Sequence, residues 1–297
     1  MVFVSSTPFA GQDPANVFNA SGVAPVGSAR FIFVDNRKPR ALFELNLNPD
    51  GSQHGPLVPR RIVGPAAGAL SDPEGLARID AGGEIDLIMA SSLSGWRNLA
   101  GNVGVNDGLV RVRYAPDGDL HAQAMPGFRD WLITHYPEFT EAADLQPDAG
   151  GLNIEGLAWD PSRNALLFGF RSPVEDGQIP VLCIPLDLDA PWDTAALRAG
   201  PVLVIDKPDF AVPQGIRDID YDAERQEFLV VVGRSRSGGD VPFQLCTWDG
   251  ASSAVDILDV TFEPHVMKPE GVTAFPGGGA RKILIVDDAG GFATVSV

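Results

Sequence analysis

Short apolar runs separated by turn residues recur along the whole chain and follow one pattern. Five times, a small, polar or acidic residue precedes glycine and an aliphatic residue: Ser21-Gly22-Val23, Glu74-Gly75-Leu76, Glu155-Gly156-Leu157, Gln214-Gly215-Ile216 and Glu270-Gly271-Val272. The steps between the five glycines are 53, 81, 59 and 56 residues. Such self-similarity predicts one structural unit repeated around the molecule.

Each copy continues into β-rich apolar runs. The second runs read RFIFVDN, EIDLIMASS, ALLFGFRS, EFLVVVGR and KILIVDD, and a third and a weaker fourth run follow in most copies. Four short strands per unit at this spacing predict an all-β fold, a five-bladed β-propeller. A β-sandwich would not need five similarly spaced copies of one glycine motif. We expect one domain over 1–297, with blades at roughly 17–68, 69–146, 147–208, 209–263 and 264–297 plus 1–10.

The last copy stops at its third run, GFATVSV, and therefore lacks an outer strand. The N-terminal run MVFVSS precedes the first copy, and we expect it to pair with that third strand, closing the ring and covering a sheet edge. The best helix candidate is 128–144, within the long step of 81 residues, as a packed cap over one face.

Composition narrows the possible partners. A formal net charge of −17 disfavours binding to nucleic acid. No apolar run reaches the length of a membrane span, so no membrane partner is expected. The start of the chain lacks the features of a signal peptide, which predicts a cytoplasmic protein, or a periplasmic or secreted one if a signal was removed. Cys183 and Cys246 lie in apolar runs and are expected to be buried thiols.

In a propeller the first strand of each blade lines the central channel and starts on one common face. The residues before the five glycines therefore meet at the channel mouth, and three of them are glutamates whose charges would repel. A hard cation held by oxygen ligands would relieve this repulsion, and Ca²⁺ suits a wide ring. The expected ligands are Ser21, Glu74, Glu155, Gln214 and Glu270. Alternatively, the carboxylates accept backbone hydrogen bonds and hold the blades together, or are protonated.

Two resemblances bear on this ring. The elements SDPEGLA and LNIEGLA resemble a bacterial propeller family of unknown function related to the phytase-like, or esterase-like, propellers. The order Ser, Glu, Glu, polar residue, Glu is also similar to the calcium-dependent apyrases, which are five-bladed nucleotidases. That similarity implies Ser21, Glu74, Glu155 and Glu270 as calcium ligands. Gln214 departs from it, because a hydroxyl is expected there, and the nucleotide-binding motifs of apyrases are not found.

The loops after the second strands lie at the same mouth. Arg37, Arg171 and Arg234 occur there at equivalent positions, and arginine suits phosphate or carboxylate groups. Each of these arginines also has acidic residues nearby with which it could pair instead. Trp96, in a glycine-rich loop, is expected to cover the mouth or to anchor its own loop.

Candidate catalytic groups are few. Asp35 and Asp287 end second strands and could act as a base toward water bound to the cation. His265 is the best acid or base among the histidines. These residues support two hypotheses. The first is a Ca²⁺-dependent hydrolase of a phosphate ester or a similar anionic small molecule. The alternative is a non-catalytic propeller that binds a ligand or a protein partner, with a structural glutamate ring.

Overall fold

The computed structural model describes residues 2–97, 100–206, 208, 213–236, 242–277 and 279–296. The strands, in chain order, are β1 (Val2–Val4), β2 (Thr7–Pro8), β3 (Ala20–Pro25), β4 (Arg30–Asp35), β5 (Ala41–Asn46), β6 (Val58–Val63), β7 (Pro73–Ala81), β8 (Glu84–Ser91), β9 (Gly95–Arg97), β10 (Val103–Val105), β11 (Leu109–Arg113), β12 (Leu120–Met125), β13 (Asn153–Asp160), β14 (Ala165–Ser172), β15 (Gln178–Pro185), β16 (Val202–Asp206), β17 (Gln214–Asp222), β18 (Glu227–Arg234), β19 (Gln244–Trp248), β20 (Asp256–Ile257), β21 (Val260–Phe262), β22 (Pro269–Gly277), β23 (Ala280–Asp287) and β24 (Gly291–Ser296). The α-helices are α1 (Phe128–His135) and α2 (Thr140–Ala143), and short 3-10 helices cover Pro137–Phe139, Pro147–Ala149 and Thr194–Ala196.

The inner strands β3, β7, β13, β17 and β22 form a closed ring. Each contacts the next along the chain, and β22 contacts β3. Nearly all residues of β3, β13, β17 and β22 are buried, as expected for strands covered on both faces. From each inner strand a sheet runs outward through antiparallel pairs. The molecule is a β-propeller.

The sheets do not separate into five independent units. Six sheets are present in the described part of the chain, two of which have only two strands. The largest has eight strands, because β6 and β12 pair in parallel at Ile62–Leu120 and Val63–His121 and join two four-stranded runs. The expected count of five blades therefore stays a prediction.

The N-terminal segment closes the ring, but with a later stretch than expected. β2 pairs with β24 through Thr7–Phe292, which confirms that this segment supplies the missing outer strand. The run MVFVSS itself behaves differently, because β1 pairs in parallel with β21. Phe9 follows β2 and is 2% exposed, stacked between Phe33 and Phe292 at centroid distances of 5.1 and 5.7 Å. An aromatic side chain therefore anchors the closure.

The helix expected over 128–144 is present as broken segments. Pro137 ends the first α-helix, because proline lacks the backbone N–H that continues a helix. The insertion is packed: the ring of Phe139 lies 4.7 Å from that of Phe170 in β14. The residues that follow it form one wall of a cavity at the channel mouth.

Hydrophobic clusters fill the space between neighbouring sheets. Cys183 and Cys246 belong to one of them and are buried free thiols, as expected. None of the helices in the described ranges has both the length and the hydropathy that crossing a membrane requires.

Candidate active site

Irregular pairing in the inner strands marks the channel mouth. In β7, Pro73 pairs with Ser91 and Gly75 with Ala90, which leaves Glu74 opposite no partner. The same shift leaves Glu155, Arg217 and Glu270 unpaired in β13, β17 and β22. A β-bulge bends its strand and turns the extra side chain out of the ladder. Four charged side chains are delivered to the channel in this way.

Arg217 occupies the position that the sequence assigns to a cation. Its Nε donates to Glu270 Oε2 at 2.7 Å, its Nη2 also contacts Glu270, and its Nη1 lies 2.9 Å from Glu155 Oε2. Burial by itself would lower the pKa of Arg217, but the Glu155 and Glu270 carboxylates raise it above its ordinary value. The guanidinium thus remains charged and neutralises two glutamates from neighbouring strands.

Gln214, the expected fourth-blade ligand, lies elsewhere. It is fully buried, and its Nε2 donates to the carbonyl of Pro242 and to Gln244 Oε1, both at 3.3 Å. The bulge in β17 falls at Arg217, three residues later. The assignment of Gln214 to the ring is therefore corrected: Arg217 is the side chain that meets Glu155 and Glu270.

The donor set does not fit a calcium ion as arranged. Glu155 and Glu270 both contact Arg217, and Ser21 Oγ donates to Glu74 Oε2 at 2.7 Å. Within the described ranges, no group of three or more His, Cys, Asp or Glu side chains is arranged to hold a metal. Calcium binding stays a prediction from the sequence.

Glu74 differs from the other two glutamates in its partners. Its Oε1 accepts from Asn36 Nδ2 at 3.1 Å and its Oε2 from Ser21, so both donors are neutral. Burial raises the pKa of Glu74 well above its usual range, and the nearby charges of Glu155, Asp72 and Glu270 raise it further. Both effects favour the protonated form of the carboxyl group, and part of the side chain reaches solvent.

Asp72 stands beside Glu74 in a fixed conformation. Its backbone φ is +53°, a value that few residues other than glycine adopt. Its Oδ2 accepts from Ser92 Oγ at 2.6 Å and from Asn106 Nδ2 at 3.1 Å. Burial raises the pKa of Asp72, whereas hydrogen bonds from Ser92 and Glu74 lower it. Strained residues held by such networks cluster at functional sites.

A third carboxylate, Glu155, is held by cations. Its Oε1 accepts from Arg171 Nη1 at 2.7 Å and from Asn153 Nδ2 at 3.2 Å, and its Oε2 faces Arg217. Arg171 therefore pairs with an acidic neighbour, the alternative left open by the sequence.

These groups face one cavity of 330 Å³, the mouth cavity, within the lower range of small-molecule sites. Its wall consists of Asp72, Glu74, Ser94, Gln146, Pro147, Asp148, Asn153, Glu155 and Arg171. Four carboxyl groups and one guanidinium line it, so an anion entering it would meet mainly negative charge.

Other predicted catalytic residues lie outside this wall. Asp35 is buried, accepts from Lys38 Nζ at 3.0 Å and caps its own turn through the backbone N–H of Arg37. Asp287 is fully buried and accepts from the backbone N–H groups of Lys268 and Ala289. Asp35 thus fixes a local turn, and Asp287 fixes its own turn and the segment that leads into β22. His265 is exposed and borders a separate cavity.

The predicted binding residues are also dispersed. Arg37 is exposed, and Arg234 borders the same cavity as His265. Trp96 is 40% exposed and lies in the β9–β10 hairpin against Gly104. Of these residues and Arg171, only Arg171 is in the wall of the mouth cavity.

Sequence reasoning gave Arg217 no role. A signal was present, because Arg217 interrupts the apolar inner strand QGIRDIDY, where a charged residue needs a buried partner. Asp72 lies two residues before Glu74 in the sequence, a position that is compatible with the mouth but indicates no chemical role.

No protein-family model matches the chain, and no curated protein matches it. A thermostable family-43 glycoside hydrolase superposes with a TM-score of 0.51 at 10% identity, over 97% of this chain and 91% of that chain. A family-43 β-1,3-galactosidase solved with galactodeoxynojirimycin gives a TM-score of 0.51 at 10% identity, over 98% of this chain and 94% of that chain. A glucose dehydrogenase gives a TM-score of 0.48 at 13% sequence identity, over 98% of this chain and 99% of that chain.

Such identities carry information about the fold alone. They do not show kinship with the phytase-like propellers or the apyrases. The chain is similar in architecture to propeller enzymes, and the fold it shares with them is the β-propeller.

Proposed function

We propose that the protein is a hydrolase of glycosides or similar neutral acetals, with Glu74 as its general acid. The observation that carries the proposal is the Glu74 carboxyl, whose pKa is raised by burial and by neighbouring charges, beside Asp72 and Glu155 in one cavity. A protonated and an ionised carboxyl group facing one cavity are the minimal set for acid–base cleavage of an acetal.

The residues have separate roles. Glu74 donates its proton to the leaving oxygen as the bond from that oxygen to the acetal carbon breaks. Water adds to the carbon, and its proton passes to the Asp72 carboxylate, whose Oδ2 is fixed by Ser92 and Asn106. Glu155 is held by Arg171 and Arg217, and its carboxylate lies near the carbon, where positive charge develops. A proton returned from Asp72 to Glu74 completes the cycle.

The charge of the cavity supports a neutral substrate over an anionic one. With the proton on Glu74, the other three carboxyl groups of the wall stabilise a developing cation but repel phosphate, and Arg171 already pairs with Glu155. Amide and hydroxyl groups of Ser94, Gln146 and Asn153 suit the hydroxyls of a sugar. An anionic ligand and Ca²⁺-dependent hydrolysis of a phosphate ester, both expected from the sequence, stay predictions.

Leaving-group dependence tests the role of Glu74. Glu74→Gln should lower kcat/KM for glycosides of poor leaving groups about 100- to 10,000-fold. It should leave hydrolysis of the matching glycosyl fluorides largely intact, because fluoride departs with little help from an acid. Glu84→Gln, at a site where the side chain is 63% exposed, is the control. An equal loss on both substrate types would contradict the assignment.

A substrate panel separates the classes of function. Aryl glycosides and phosphate esters are offered with added Ca²⁺ and with a chelator. Glycoside turnover that changes neither with Ca²⁺ nor with the chelator supports the proposal. Calcium-dependent turnover of phosphate esters supports the phosphate-ester hydrolase expected from the sequence. Saturable sugar binding without turnover would indicate a non-catalytic propeller, a class that the structural Arg217 bridge favours.

We also propose that the ring has five blades. Five inner strands contact in sequence, and each begins a run of four strands, the last completed by β2. The β6–β12 pairing then links two blades at their outer edges. An experimental electron-density map of the protein would test the count.

A further inference from the structure

A second cavity lies at the opposite ends of the inner strands. Glu74, Arg217 and Glu270 occupy the first halves of β7, β17 and β22, whereas this cavity is bordered by the later residues of the inner strands. It has a volume of 450 Å³, and we call it the far cavity. The side chains that matter for its chemistry are Arg78, Asp80, Trp159, Asp220, Tyr221 and Glu224.

Asp220 is the buried acid of the far cavity. It is 8% exposed, and its Oδ2 accepts from Thr273 Oγ1 of the neighbouring strand at 2.6 Å. That donor is neutral and does not cancel the charge of the Asp220 carboxylate.

The nearby guanidinium groups are committed to other acids. Arg78 binds Asp80 with Nε at 3.0 Å and Nη2 at 2.6 Å, and its Nη1 donates to the carbonyl of Pro25. Arg281 pairs with Asp222 at 2.5 Å. Once these pairs are set aside, Asp220 and the exposed Glu224 give the far cavity a negative balance.

Aromatic side chains complete the cavity. Trp159 from β13 and Tyr221 from β17 are both partly exposed at its wall, and the buried Phe275 from β22 lies beside them. Aromatic faces attract cations as well as apolar groups. An acid in a cavity with aromatic walls is therefore complementary to a cation that carries an apolar body.

We propose that the far cavity binds a small organic cation, an ammonium group with an apolar body, with Asp220 as its counter-ion and Trp159 and Tyr221 as its walls. An anionic ligand would face Asp80, Asp220, Asp222 and Glu224. A neutral apolar ligand would remove water from Asp220 without pairing it, which is costly. The site is separate from the mouth cavity and does not depend on the proposed hydrolase activity.

Binding is linked to protons. Burial raises the pKa of Asp220 to about 7, opposed by the Thr273 hydrogen bond. The other charged groups around it are Arg78 and Asp80 on β7, Asp218 and Asp222 on β17, Glu224, and Arg281 on β23. A bound cation favours ionised Asp220, so affinity should rise as the pH increases from 6 to 8, a window set by that pKa of about 7.

Choline and 3,3-dimethylbutan-1-ol form a matched pair for the test, because they share one shape and differ in charge. Calorimetric titration of the full chain at pH 8 should show saturable choline binding, at least about tenfold tighter than binding of the alcohol, a factor that corresponds to about 1.4 kcal/mol. Asp220→Asn should abolish the preference. Trp159→Leu should weaken choline more than the alcohol.

Glu74→Gln, at the other mouth, is the control and should leave choline binding unchanged. Circular dichroism and melting temperature establish that each variant is folded. Absence of saturable choline binding, equal binding of the two ligands, or an unchanged preference in folded Asp220→Asn would each overturn the proposal. If Asp220→Asn does not fold, Trp159→Leu and the pH dependence of the wild-type protein decide the matter.

Discussion

At the scale of single residues, Arg217 places a positive charge among the carboxylates of the channel. It contacts Glu270 with two nitrogens and Glu155 with a third, so it joins side chains from three inner strands. A buried ion pair is not in itself strongly stabilising, because desolvation offsets most of the attraction. Removing one partner is costly, since the remaining charges stay buried.

Replacing Arg217 by methionine should therefore lower the free energy of unfolding by about 3–5 kcal/mol. Urea denaturation at neutral pH measures this change in the free energy of unfolding. The matched control is Arg225→Met, because Arg225 is 47% exposed and lies 3.7 Å from Glu227, where about 1 kcal/mol or less is expected. Adding Glu155→Gln and Glu270→Gln to Arg217→Met should restore part of the lost free energy of unfolding. Equal effects of the two arginine substitutions would contradict the bridge.

Asp220 makes stability depend on pH. Its pKa is raised from 3.8 to about 7, mainly by burial, so the folded state holds a proton that the unfolded state releases. Its contribution to stability is present below pH 3.8 and is lost as the pH rises through about 7. The slope in this window is on the order of 1 kcal/mol per pH unit. Asp220→Asn should flatten this part of a stability–pH curve measured by urea denaturation, and an unchanged curve would contradict the assigned burial of charge.

The elements that matter most are the bulged inner strands. The repeated apolar runs were enough to predict the strands, the propeller and the delivery of Glu74, Glu155 and Glu270 to one mouth. The fourth copy of the motif differs in structure from its sequence pattern. Gln214-Gly215 matches the sequence motif, but the β-bulge falls at Arg217. A bulge position depends on how neighbouring strands pack, and a glycine alone does not fix it.

Glycines let these strands approach closely. A Cβ on Gly75 would lie 2.6 Å from Leu157 Cβ of the next inner strand. Gly75→Ala should cost about 1–3 kcal/mol, because the strands must separate. Gly27→Ala is the control, since its Cβ would make only an ordinary 3.4 Å contact. Denaturant unfolding of both variants checks the difference, and comparable losses would contradict close packing at the ring.

At the scale of the whole molecule, one closed ring holds a cavity at each end of its channel. The far cavity is lined by residues of all five inner strands and so requires the closed ring, whereas the wall of the mouth cavity comes from residues 72–171 alone. Closure between the two ends of the chain was predictable, because the last copy lacked an outer strand. The parallel β1–β21 pair was not, since pairing between residues so distant in sequence leaves no local pattern. Nor was the raised pKa of Glu74, which depends on burial and on charges from other strands.

Phe9 is the side chain on which closure depends most directly. It is 2% exposed and stacks on Phe33 and on Phe292, which belong to the first and last sheets of the ring. Phe9→Ala should lower the free energy of unfolding by about 3–5 kcal/mol, because a large buried ring is lost where the chain ends meet. Phe3→Ala is the matched control, since Phe3 is 63% exposed and should change stability by about 0.5 kcal/mol or less. Denaturant unfolding distinguishes them, and a stable Phe9→Ala protein would mean that the β2–β24 pairing closes the ring without this anchor.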